Sequence, residues 1–178
     1  MKKNITTKEF INNSIGEWKS IRSTHTLAFQ EFENTNSNLL ISHIDIKSKE
    51  ISDLIKELRC EHEPSFAIKI SWDSTSEWTT ENETEQSQTI LIFMPKDNYS
   101  GIILKNKGYV ELIPTFSKYF LDESNHLIIK SDYKSTISEE KIWFLSKHVR
   151  SRYSVIKNKD NHGILQTSHA TEIRKIFT

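Results

Sequence analysis

Three residues at alternate positions, Arg150, Arg152 and Ser154, carry the clearest chemical signal in this 178-residue chain. They lie in His148-Val149-Arg150-Ser151-Arg152-Tyr153-Ser154, just after Glu139-Glu140-Lys141-Ile142-Trp143-Phe144-Leu145-Ser146. Both runs read as neighbouring strands. Strand side chains alternate between faces, so the two arginines and the serine leave the backbone together. Two guanidiniums on one face repel each other unless something negative lies between or above them. An anion with two acidic arms would satisfy both, because the guanidinium fork grips carboxylate or phosphate in a bidentate way. The competing reading is that both arginines face water on the outside of a sheet, as exposed charge usually does.

Other residues with chemical potential are fewer. Glu172 and Arg174 share a strand face, opposite Ile173 and Lys175. A carboxylate held inside a protein is pushed towards its neutral form by desolvation, unless a nearby arginine reverses the shift. Such a group accepts hydrogen bonds from ring N–H donors or gives a proton to a conjugated ligand; a solvated charge pair is the alternative. Trp72 and Trp78 share parity with Ile68 and Ile70, so an unbroken strand places all four on one face, as ligand contacts or as core. The seven histidines are scattered, and Cys60 with His62 supplies only two ligands, so no metal site is expected. With 4 glycines, no phosphate-cradling loop and no Gly-x-Ser-x-Gly elbow, nothing points to hydrolase, kinase or nucleotide chemistry. Cys60 reads as a small buried or idle thiol, with a nucleophile as the alternative.

Composition narrows the partners. Lys+Arg and Asp+Glu are both 24, so the chain has no overall electrostatic claim on nucleic acid or an anionic membrane, and any anion binding is local. A single cysteine excludes an intrachain disulfide and fits a reducing compartment. No apolar run is long enough to span a bilayer, and Met1-Lys2-Lys3-Asn4 leads into polar residues rather than a signal-peptide core. The expectation is one soluble, cytoplasmic domain over residues 1–178, with no nucleic-acid partner and no membrane span.

The elements that must position these groups follow from periodicity. Thr6–Ser14 reads as a short helix capped by Thr6 or Thr7, burying Phe10 and Ile11 and ending at Gly16. From Glu17 the pattern is extended, with neither face uniformly apolar, which suits a barrel whose interior is partly polar. A polar Asn34-Thr35-Asn36-Ser37-Asn38 turn precedes a strand over Leu39–Ile46. Ile51, Leu54, Ile55 and Leu58 then mark one stripe of a helix over Lys49–Arg59. Further strands are expected at Phe66–Thr79, Thr89–Met94, Gly101–Lys107, Thr115–Leu121, Leu127–Tyr133, Lys141–Ser146, His148–Lys157 and Ile164–Lys175. The acidic, Ser/Thr-rich stretch Ser74–Gln88 is the expected mobile loop. About ten short strands joined by short turns predict an all-β fold with minor helix: an antiparallel up-and-down β-barrel, closed to remove its edges, with an N-terminal helix and one inserted helix.

The order of motifs resembles that of the S-type phycobiliprotein (bilin) lyases, the CpcS/CpeS family. The likeness runs from Gly16-Glu17-Trp18-Lys19-Ser20-Ile21-Arg22-Ser23-Thr24-His25 through Ile70-Ser71-Trp72-Asp73, Trp78 and Gly108-Tyr109-Val110-Glu111. It continues in Tyr119-Phe120-Leu121-Asp122-Glu123 and Glu140-Lys141-Ile142-Trp143-Phe144, then in the arginine strand and Thr171-Glu172-Ile173-Arg174. The T-type lyases are a sister group sharing the barrel. The resemblance implies a lipocalin- or fatty-acid-binding-protein-like barrel that binds a linear tetrapyrrole, phycoerythrobilin or phycocyanobilin. It implies attachment of that bilin through a thioether to a cysteine of a phycobiliprotein β-subunit, of phycoerythrin or phycocyanin. Arg150, Arg152 and Ser154 then match propionate partners, Glu172 an acceptor for pyrrole N–H groups, and Trp72 and Trp78 stacking residues. Glu140 matches an acidic position of less defined role. Arg150 and Glu172 are the expected catalytic pair. The resemblance further implies no required cofactor, hand-off from a bilin reductase, a homodimer, and a cyanobacterial cytoplasm or plastid stroma. The alternative is a non-catalytic bilin or fatty-acid carrier.

Overall fold

Alternation of inward and outward side chains governs nearly every strand of the computed structural model, which describes residues 5–78, 84–106 and 113–176. The elements run α1 (Thr7–Ser14), β1 (Gly16–Thr26), β2 (Glu31–Ile44), α2 (Lys49–Glu57), β3 (Phe66–Ser76), β4 (Glu85–Pro95) and β5 (Ser100–Lys105). They continue as β6 (Thr115–Leu121), β7 (Leu127–Asp132), β8 (Thr136–Ser146), β9 (Val149–Asn158) and β10 (Ile164–Arg174). Each strand pairs antiparallel with its sequence neighbours, and β1 pairs with β10, so the ten strands close into an up-and-down barrel. Closure leaves no free edge.

The apolar core is gathered at one end. Thr6 caps α1 in a reciprocal capping box with Glu9, which satisfies orphan amides at the helix start. Phe10 and Ile11 on its buried face plug the barrel against Trp18, Leu39, Ile41, Ile68, Phe93 and Leu127. A second cluster lies outside the wall, where Ile51 and Leu54 of α2 cover Ala67, Ile92, Met94 and Leu104. β3 to β5 are therefore buried on both faces, which accounts for the unbroken apolar run Ile90–Met94. Cys60 sits beneath α2 with its Sγ 3.5 Å from the Met94 Sδ, outside the barrel.

Several expected boundaries shift. Asn34–Asn38, read as a turn, lies inside β2, where Thr35 and Leu39 are buried and Asn36 and Asn38 are outward. A polar lumen accepts small hydroxyl side chains that an apolar core would reject, so the strand continues through a polar sequence. The expected mobile loop Ser74–Gln88 is strand at both ends: β3 reaches Ser76 and β4 starts at Glu85, while 79–83 fall outside the described residues. β8 begins at Thr136 rather than Lys141. The motif Gly108-Tyr109-Val110-Glu111 also lies outside the described residues. Gly16 does not end α1, whose C-cap is Ile15. It opens β1 at φ +130°, and a Cβ there would lie 2.6 Å from the Arg174 guanidinium, so only glycine fits on both counts.

Phe10→Ala tests whether α1 is a plug on a self-standing barrel. Removing this buried ring costs about 3–5 kcal/mol. Hydrogen exchange should accelerate in α1 first, with β6–β9 amides staying protected; equal acceleration throughout would show that helix and barrel unfold as one unit.

Candidate functional site

Above the α1 plug the barrel encloses a cavity of about 490 Å³, within the range of small-molecule sites. Its lower wall is aliphatic and aromatic (Leu39, Ile68, Ile70, Trp72, Phe93, Ile142), and its charged residues are concentrated on β1, β5, β8, β9 and β10.

Arg150, Arg152 and Ser154 all turn inward on β9, so the solvent-facing reading is set aside. What satisfies the two guanidiniums is a residue of the chain itself. Glu172 is directly opposite Arg150 in the β9–β10 register and fully buried. The Arg150 Nε donates to its Oε2, and the Arg152 Nη2 donates to its Oε1 at 2.9 Å. The Arg150 guanidinium also lies over the Trp18 ring, 4.7 Å from its centroid, and Arg174 lies over the same ring at 4.2 Å. Trp18 is thus held between two cations, a stabilising arrangement where water is excluded, and its indole N–H donates to the Ser14 carbonyl of α1. Arg174 donates to the carbonyls of Asn13 and Ile15, tying the last strand to the C-terminal end of the plug.

A second charged station begins beside the first, on β8, and reaches to β5. Lys105, at the end of β5, reaches Glu140 of β8 at 3.5 Å and the Ser131 hydroxyl at 3.3 Å; Ser131 and Ser117 share a 2.6 Å hydrogen bond. Lys105 and Glu140 are both buried. Burial pushes the Glu140 carboxyl up, but Lys105 and then Arg152 outweigh it, so the group stays below the usual carboxylate value. Glu172 behaves likewise: desolvation raises it, and Arg152 and Arg150 bring it below its ordinary value. Both carboxylates are ionised at neutral pH. Burial favours loss of the Arg150 proton while Glu172 opposes it, and a guanidinium stays charged in proteins regardless. The cavity lining sets Arg22, Lys105, Arg150 and Arg152 among the carboxylates Glu140, Glu172 and the exposed Glu85. The lumen carries net positive charge.

Of the seven residues expected from the sequence, Arg150, Arg152, Trp72, Glu140 and Glu172 line the cavity. Ser154 is buried and bonded to Ser168 at 2.7 Å, behind the lining. Trp78 does not share the face of Trp72 in an unbroken strand: β3 ends at Ser76, and Trp78 stands in the following turn, 60% exposed. Arg22 and Lys105 were missed. Arg22 was legible from its parity with Trp18 and Ser20; Lys105, closing the apolar run Ile102-Ile103-Leu104, carried no signal until the β5–β6 register was known. Among the described residues no three of His, Cys, Asp and Glu converge where a metal ion could sit, and no helix is long and apolar enough to cross a membrane.

Fold and site together define an antiparallel ligand-binding barrel with a cationic lumen. The chain belongs to the CpeS-like protein family, whose model matches residues 6–175. It is 34% identical over 170 residues to "Chromophore lyase CpcS/CpeS 3" of Trichodesmium erythraeum (strain IMS101), covering 94% of this chain and 98% of that protein. It is 27% identical to "Phycocyanobilin lyase subunit CpcS" of Picosynechococcus sp. (strain ATCC 27264 / PCC 7002 / PR-6), over 84% of this chain and 77% of that one. The solved structure of the S-type phycobiliprotein lyase CPES from Guillardia theta superposes with a TM-score of 0.84 at 28% identity, covering 98% of this chain and 96% of the other.

The electrostatics make a pH prediction. A carboxylate whose folded value is depressed contributes stability that is complete above its unfolded value, near 4.5 for Glu172, and lost as pH falls through the folded value. Glu172→Gln leaves the buried Arg150 and the half-buried Arg152 without their counter-charge and should cost about 3–5 kcal/mol at pH 7. In urea titrations from pH 7 downwards the gap between variant and parent should close below pH about 4.5, where the parent begins to protonate. A pH-independent gap would mean that Glu172 acts by shape and not by charge.

Proposed function

We propose that the protein is a phycobiliprotein chromophore lyase: it holds a linear tetrapyrrole in the barrel and presents it to a cysteine thiol of a phycobiliprotein subunit. The carrying observation is the charge balance of the cavity. A bilin brings two propionates and a run of pyrrole N–H groups. The net positive lumen suits the propionates, and the ionised Glu172 is an acceptor for the N–H groups. Trp72, on the cavity wall, offers an aromatic face to the extended π-system. The family and the relatives named as chromophore lyases point the same way.

The residues do limited, defined work. Arg150 and Arg152, with Arg22 two strands away on β1, grip the acid arms and fix one extended conformation. Glu172, held negative by its two arginines, favours the protonated, cationic form of the conjugated ring system. That charge makes the A-ring ethylidene more electrophilic, and the partner's thiolate adds to it to form the thioether. The nucleophile belongs to the partner, which agrees with Cys60 lying outside the barrel. Ser154 acts by fixing β9 against β10 through Ser168, and Trp78, outside the lumen, is available at the surface rather than within the bound pigment. The chromophore is read as phycoerythrobilin and the acceptor as a β-subunit cysteine. Phycocyanobilin, named for one relative, is the competing chromophore. Supply by a bilin reductase, a homodimeric state and a cytoplasmic or stromal location belong to the same reading.

Purified protein should take up phycoerythrobilin with a sharpened, red-shifted absorption band and quenched tryptophan fluorescence, and should colour an apo-β-subunit on mixing. Arg152→Met, which removes a lumen cation at a half-exposed position, should weaken uptake about tenfold or more, the scale of a lost charge-assisted hydrogen bond. Uptake without transfer to any apo-subunit would establish the carrier reading instead. Full uptake and transfer by Arg150→Ala/Glu172→Gln would remove the site from the lumen. Offering phycocyanobilin in parallel decides the chromophore.

A further inference from the structure

Lys105 and Glu140 form a charged pair that propionate binding does not use. Both are buried and both line the cavity, yet they stand 3.5 Å apart, well beyond the 2.7–2.9 Å or so of a closed charge-assisted contact. Each group keeps hydrogen-bonding capacity beyond this one contact. An ammonium has three donors, and Lys105 directs them at Ser131 and Glu140 over long distances of 3.3 and 3.5 Å. A carboxylate accepts about four hydrogen bonds, and Lys105 occupies one of them on Glu140. The two strands therefore present a donor and an acceptor side by side, supported from behind by the Ser117–Ser131 hydroxyl pair.

A donor beside an acceptor is the complement of a cis-amide edge, in which a carbonyl oxygen and an N–H point the same way. A linear tetrapyrrole ends in two such edges, the lactams of its terminal rings. We infer that Lys105 and Glu140 form a lactam-reading subsite, the ammonium donating to the lactam carbonyl and the carboxylate accepting the lactam N–H. Glu140 stays ionised here because Lys105 and Arg152 outweigh its burial, so it accepts and does not donate. Lys105 is only 5% exposed. A ring seated against it is sealed from an incoming protein thiol, so the subsite holds the terminal ring that does not react. The opposite ring, with its ethylidene, is thereby directed to the barrel mouth. The pair would set which end of the pigment is delivered and would reject dicarboxylates that lack lactams, such as cyclic porphyrins.

This inference rests on the proposed bilin-binding function, and the test separates the two. Tryptophan quenching is titrated with phycoerythrobilin and with phycoerythrobilin whose two lactams are capped as O-methyl lactim ethers, both probes keeping the propionates. The parent protein should bind the uncapped probe about tenfold or more tightly, the scale of one hydrogen bond to a charged group. Lys105→Met/Glu140→Met removes both charges together and should fold, since exchanging a buried ion pair for apolar residues of similar volume is often neutral or stabilising. In that variant the preference should collapse while the capped probe binds as it does to the parent. An equal preference in parent and variant, or none in the parent, overturns the subsite. Failure of the parent to bind either probe would instead overturn the bilin-binding reading. A variant that binds both probes at parental strength and ratio also counts against the subsite.

Discussion

A carboxylate with no exposure to water, gripped by two guanidiniums, is the constraint on which the rest of this barrel depends. Moving one unpaired charge from water into a protein interior costs several kcal/mol even after relaxation. Lys105, Arg150 and Arg152 are tolerable in one lumen because Glu172 and Glu140 alternate with them across β5, β8, β9 and β10. The alternation is a product of register: Arg150 is opposite Glu172, and Arg152 lies diagonal both to Glu172 and to Glu140. A slip of one residue in β9 would send both arginines outside and leave Glu172 buried alone. The ion network thus selects the register, whatever it adds to net stability.

The charged part of the lumen does little to drive folding. Apolar burial is placed elsewhere, beneath α1 at the closed end and under α2 on the outer wall. The two regions meet at Trp18. Its ring packs with the plug and the aromatic floor through Phe144, while its faces carry Arg150 and Arg174. Through that indole, the helix that closes the barrel also fixes the arginine that holds Glu172.

Fold and site were legible to different depths, for physical reasons. Ten antiparallel strands, two helices and closure followed from period-two alternation and short turns, and the inward arginines were visible as a pair that needed a counter-charge. The counter-charge was legible only in part: spacing pointed to an anionic ligand, and Glu172 adds a carboxylate from a strand whose register no local pattern records. β2 was shortened because a polar run inside a polar lumen looks like a turn. Trp78 was carried along by parity through a strand that in fact stops at Ser76. Lys105 gave no sign at all, since one lysine after three aliphatic residues reads as the solvated end of a strand. Local periodicity reports which way a side chain points, and tertiary register decides what it meets.

That register also changes the role open to the two carboxylates. A glutamate in an apolar pocket is raised and becomes a proton donor. Glu172 and Glu140 are as deeply buried as such an acid, but their arginine and lysine neighbours drive them the other way. A group that is ionised at neutral pH is a poor source of protons and a good counter-charge. A conjugated nitrogen base bound beside it is therefore stabilised as a cation, with the proton drawn from solvent and retained by the field of the site. Electrostatic stabilisation in a water-poor cavity is commonly the largest catalytic contribution, and it requires only that the charges be fixed in advance. In this barrel they are fixed by strand pairing, by a tryptophan held between two guanidiniums, and by a helix that shuts out water from below.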